Sequence, residues 1–152
     1  MLSKLNDFLS SIIPPVNVDS RPVHTLQLAT AVLLIEVMRS DAESKDEEQA
    51  AILNILKQRF HLPDAAVAQL NERGLRTAKT ANDFYQFTSV INRELEFHEK
   101  VRIIEYMWQV AYADGTISAH ENHLMRKIGE LLYIPHGDYI AAKMRAKHDH
   151  LK

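Results

Sequence analysis

The chain has 152 residues, enough for one domain that buries about two-thirds of the surface its unfolded form exposes, so folding requires neither a metal nor a disulfide. Its composition, 46% hydrophobic and 25% charged with four glycines and five prolines, is that of an ordinary globular protein leaning helical. A net charge of −2, with eighteen Lys and Arg spread along the chain, offers no basic field to a nucleic acid, and the absence of cysteine excludes disulfides, thiolate ligands and thiol catalysis.

Leu2, Leu5, Phe8, Leu9, Ile12 and Ile13 recur at helical spacing until Pro14-Pro15, which predicts a short amphipathic helix and link over residues 1–20. Lys4, Asn6 and Asp7 interrupt its apolar face, so it lacks the continuous core of a signal peptide. It carries little positive charge and is expected to pack on the domain rather than lie on a membrane surface. No apolar run approaches the length of a membrane span, and the chain is read as cytoplasmic.

Ser20 and Pro22 have the form of a cap and first turn for a helix through Arg39, whose ATAVLLIEVM stretch is apolar nearly all round and should be central and buried. Ser44-x-x-Glu47 has the form of a capping box and opens EEQAAILNILKQRF, with Ile52, Ile55, Leu56 and Phe60 on one face. Pro63 starts a further helix, expected to end near Gly74. TANDFYQFTSVIN supplies another, with Phe84, Phe87, Val90 and Ile91 at core spacing. HEKVRIIEYMWQVAYA supplies the longest, with Trp108 and Tyr112 assigned to the core. Ser118-x-x-Glu121 repeats the capping-box form and opens a helix through Leu132. Pro135 begins HGDYIAAKMRA, and residues 147–152 are expected to fray. With no sustained alternating pattern, the chain reads as all-α, a single domain over 1–152 of seven or eight helices.

The pass exposes an internal repeat. In VLLIEVMRSDAESKDEEQAAILNIL and RIIEYMWQVAYADGTISAHENHLMRKI, a buried helix runs into a short turn and then an amphipathic helix. Asp41 and Asp114 are 73 positions apart, as are Glu48 and Glu121 (114 − 41 and 121 − 48). Leu62-Pro63 and Ile134-Pro135 follow the second helix of each half, with a one-residue slip. Two such hairpins packed with approximate two-fold symmetry would set their turns side by side.

The second turn, ADGTISAHE, matches the later part of an EF-hand loop: Asp114 at position 5, Gly115 at 6, Ser118 at 9 and Glu121 at 12. Positions 1 and 3 are Val110 and Tyr112, so the standard EF-hand reading fails. The repeat offers a completion, because Asp41 and Glu48 would bring a second carboxylate pair to the same place. Hard oxygen ligands suit Mg²⁺, Ca²⁺ or Mn²⁺ better than zinc. Glu36 and Glu105 interrupt otherwise apolar helices and are candidate further ligands or orienting groups. The bland reading is that a carboxylate three residues after a capping serine serves only the helix start. HENHL resembles a zincin motif, but His120 and His123 are three apart rather than four, and both are read as surface residues.

The stretch YADGTISAHENHLMRKIGELLYIPHGDYI, with VLLIEVMRSD, WQVAYADG and DFYQFTSVIN, resembles the TerB-like family, the tellurite-resistance protein B relatives. That family is also similar to the N-terminal domain of a membrane-anchored DnaJ-type co-chaperone. The resemblance runs from about His24 to Arg145. It implies an all-helical fold of two related halves, an acidic metal site at the turns, and a link to tellurite or general chemical stress in bacteria, with no enzymatic reaction. Position by position, it places Asp114 and Glu121 in the second turn, Asp41 and Glu48 in the first, and glutamate at 36 and 105. The first turn departs from the pattern: Ala42 stands where glycine is usual, and Ser44 where a branched apolar residue is expected. Alanine adopts a left-handed backbone only at a cost of roughly 1 kcal/mol.

The expectation is therefore a non-enzymatic cytoplasmic stress protein whose paired acidic turns bind a divalent cation and whose helical surface contacts a protein partner. The alternative is a metal-free protein–protein interaction module, a homodimer, with the acidic residues acting only as helix caps. Neither reading involves nucleic acid or a membrane span.

Overall fold

The computed structural model describes residues 25–41 and 45–151. They form seven helices and no strand: α1 (Leu26–Ser40), α2 (Lys45–Phe60), α3 (Asp64–Thr80), α4 (Tyr85–Glu94), α5 (Phe97–Tyr112), α6 (Ala119–Leu131) and α7 (His136–Leu151). The all-α expectation holds. The predicted first helix, the Ser20 and Pro22 signals, and the departures at Ala42 and Ser44 lie outside the described residues.

Helix α1 starts later than Ser20 suggested, because Thr25 takes the cap: its hydroxyl accepts from the Leu28 amide at 3.1 Å while its own backbone stays extended. The run from Leu28 to Ile35 is buried on every side, so α1 is the axis around which the other helices assemble. Helix α5 is its counterpart, burying Ile103, Ile104, Met107, Trp108, Val110 and Ala111. Trp108 is fully buried and meets the Tyr139 ring edge-on at a centroid distance of 5.5 Å, with Lys143 above its face at 4.9 Å. Trp108 and Tyr112 are thus core residues.

The repeat is visible in the packing. Helices α1–α2 form one hairpin and α5–α6 the other; α2 packs on α5, and α6 packs on α1. Helix α3 closes over α1 in the first half as α7 closes over α5 in the second. The hairpins even end alike. His61 and Tyr133 both adopt left-handed backbones, at φ 53° and 58°, and the next residue's amide reaches back into the helix, Leu62 to the Lys57 carbonyl and Ile134 to the Gly129 carbonyl.

The end of α3 also differs from expectation. Helix α3 does not end at Gly74 but continues to Thr80. Gly74 is buried where α3 crosses α1, and a Cβ there would stand 2.6 Å from Ile35 Cδ1 and 3.3 Å from Ala31 Cβ. The glycine serves close approach rather than termination. At the other end, α7 runs on to Leu151.

Candidate metal centre

The two turns meet. One carboxylate oxygen from each of Asp41, Glu48 and Asp114 lies within 4.8 Å of the others. Two oxygens on opposite sides of a bound Ca²⁺ are about 5 Å apart, so the three groups can reach one ion. Each comes from a different local structure. Asp41 follows α1 in extended conformation, with its amide donating to the Met38 carbonyl. Glu48 sits in the first turn of α2 and is fully buried. Asp114 sits in the turn after α5, where its Oδ1 accepts from the Thr116 amide at 3.0 Å. That turn needs its glycine: Gly115 has φ 91°, a backbone that L side chains rarely adopt.

Glu121 borders this group from α6 and is also fully buried. It is held by a complete capping box: the Ser118 amide donates to Glu121 Oε1 at 2.9 Å, and the Glu121 amide donates to Ser118 Oγ at 3.0 Å. Its Oε2, and both oxygens of Glu48, are buried and meet no donor from outside the acidic group; a proton held by Glu48 joins it to Glu121.

Such an arrangement is unfavourable for charge. Burial above all, then the neighbouring Glu121 and the charges of Asp41 and Asp114, push the Glu48 carboxyl up to about 9. Burial pushes Glu121 up as well, opposed by its hydrogen bonds to Ser118 and Glu48, which favour the ionised form. A set of carboxylates with this environment either holds protons or meets a cation.

Glu36 and Glu105 are not brought to this place. Glu36 lies on α1 and accepts from Arg39 Nη1 at 2.9 Å; burial still leaves its carboxyl above the ordinary range. Glu105 is buried in α5, and both its oxygens are taken: Oε1 accepts from Arg145 Nε at 2.7 Å and Oε2 from Arg102 Nη1 at 3.0 Å. It joins α5 to α7 rather than joining the turns. The Arg102 partner could be read from its i,i+3 spacing; Arg145, forty residues away, carried no such signal.

A second group, Glu96, His98 and Glu99, also brings ligand atoms within 4.8 Å. Glu96 and His98 are exposed, and Glu99 already accepts from the Glu96 amide and pairs with Arg59. His120 and His123 are exposed on α6, as expected.

With this geometry in place, the sequence matches the family model described as "Tellurite resistance protein TerB" over residues 27–144. The chain belongs to the TerB family. No curated protein and no solved structure gives a match. The TerB match spans both hairpins and the α4 segment between them, so Asp41, Glu48, Asp114 and Glu121 all fall within it. None of the described helices is long and apolar enough to cross a membrane.

Proposed function

We propose that this TerB-family chain is a non-enzymatic, cytoplasmic, stress-associated protein that binds one divalent cation between its two acidic turns and contacts a protein partner through its helical surface. Mg²⁺, Ca²⁺ and Mn²⁺ are the candidate ions, because every side chain at the turns offers hard oxygen. The observation that carries the reading is Glu48: both oxygens are buried, meet no donor from outside the acidic group, and are surrounded by acidic neighbours. A buried polar group without partners is expensive, and a cation would satisfy Glu48 and neutralise its neighbours together. Because the ligands come from both hairpins, an ion there would bias the relative position of the two halves by its differential affinity. The link to tellurite resistance follows from the family and belongs to this proposal. Contact with a partner is supported by exposed apolar side chains, including Tyr85, Tyr133 and Met144.

The metal-free interaction module is favoured by one observation, the Ser118–Glu121 capping box, which gives Glu121 a role without any ion. Without an ion, Glu48 has to keep its proton and share it with Glu121. Thermal melting of the metal-stripped protein with each of Mg²⁺, Ca²⁺, Mn²⁺ and Zn²⁺ separates the two readings. At a cation concentration of ~100 Kd, wild type gains about 2.7 kcal/mol, a rise of roughly 5–10 °C for a chain of this size. Glu48→Gln, which imitates the protonated carboxyl, should show none of it. Equal melting temperatures with and without millimolar cation would leave only the interaction module.

A further inference from the structure

The two glutamates that the repeat makes equivalent stand in different circumstances. Glu121 is 73 positions after Glu48, and the residue that caps it, Ser118, corresponds by the same offset to Lys45. Lysine has no acceptor to serve as a cap. Glu48 takes no hydrogen bond from a backbone amide, while Glu121 Oε1 is tied to the Ser118 amide at 2.9 Å.

Position follows the same division. Asp41, Glu48 and Asp114 have ligand atoms within one 4.8 Å group, and Glu121 is not among them. Its remaining oxygen, Oε2, is buried beside Glu48 and meets no donor other than a proton shared with it. The capping box ties the Glu121 side chain through Oε1 to the Ser118 amide, while the Glu121 amide donates to Ser118 Oγ, so the carboxylate cannot swing inward without giving up its part of the helix start. Three carboxylates already exceed a divalent cation's charge, and water can fill the remaining coordination positions.

Resting on the cation-binding reading above, we propose that Glu121 is a positioning residue rather than a ligand: it buttresses Glu48 from behind, and the ion is held by Asp41, Glu48 and Asp114. The site is then asymmetric, with two ligands from the first hairpin and one from the second. The second hairpin contributes the rigid wall, Asp114 in its turn and Glu121 in its box, against which Glu48 is set. Groups of this kind orient metal ligands without touching the metal, and their loss typically weakens binding about 10–100-fold.

Terbium luminescence on the full chain tests the division, because lifetimes in H₂O and D₂O count the waters on the bound ion, a quantity that a group outside the coordination shell does not change. Glu121→Gln keeps the acceptor for Ser118 and should bind Tb³⁺ within about threefold of wild type, with the same number of bound waters. Glu121→Ala removes the buttress and should bind about tenfold more weakly, again with the water number unchanged. Glu48→Gln should weaken binding further and admit at least one additional water. A Glu121→Gln protein that gains a water and loses affinity as Glu48→Gln does would overturn the positioning role while leaving the cation site standing. Wild-type protein that fails to take up Tb³⁺ would remove both.

Discussion

Glu48 is the residue on which the site turns, and its environment makes a prediction in the absence of any ion. Its carboxyl, ordinarily near 4.5, is pushed up to about 9 in the folded chain. Between those two values the native state keeps a proton that the unfolded chain has released, so stability falls as pH rises across the window and levels off above it. Below about pH 4.5 both states are protonated and the group contributes no slope. Urea unfolding of metal-stripped protein should show its midpoint declining from about pH 5 to about pH 9, and Glu48→Gln should flatten much of that decline. A midpoint that rises with pH over the same range would contradict the burial of an acidic Glu48. The other titratable residue that sequence placed beside it, Glu105, illustrates the limit of reading single residues. A lone glutamate in an apolar helix signals a buried carboxylate, and Glu105 is one, but only the folded chain shows that its charge is met by Arg102 and Arg145. A polar residue on an apolar face announces that something will satisfy it without saying what.

Among the helices, two glycines mark the closest approaches. Gly74 lets α3 meet Ala31 and Ile35 of α1. Gly129 does the same for α6 against α7, where an added Cβ would stand 2.9 Å from Cδ2 of the Tyr139 ring. That ring is rigid and is itself packed edge-on against Trp108, so it cannot yield as a flexible side chain would. Gly129→Val should destabilise the chain by about 1–3 kcal/mol, the usual range for overpacking. This loss should exceed the ~1 kcal/mol that leaving glycine gains in a helix interior. Chemical denaturation of the variant measures the difference, and a net gain in stability would show that α7 is free to shift. Sequence pattern located the helices because apolar periodicity and capping chemistry are local: Ser118-x-x-Glu121 opens α6 as its spelling requires. It misjudged the end of α3 because a glycine that terminates a helix and a glycine that admits a neighbouring helix are spelled alike. The polar residues after Ala146 continue α7 to Leu151.

At the scale of the molecule, the repeat was the most informative feature of the sequence. An equal 73-residue spacing of two Asp/Glu pairs points to two turns that face each other, and the fold brings Asp41, Glu48 and Asp114 into one group with Glu121 beside Glu48. The asymmetry between Glu48 and Glu121 was less visible, because it depends on which oxygen a cap occupies, a matter of ångströms rather than spacing. The central claim is that this junction of two hairpins takes one divalent cation through Glu48. Titration calorimetry of metal-stripped protein with Ca²⁺ and Mn²⁺ near neutral pH, repeated in buffers of different ionisation enthalpy, measures both uptake and any protons released. The account predicts one ion per chain, with net proton release because Glu48 must ionise to bind, and loss of both signals in Glu48→Gln. Absence of binding, or binding that survives unchanged in Glu48→Gln, would contradict it.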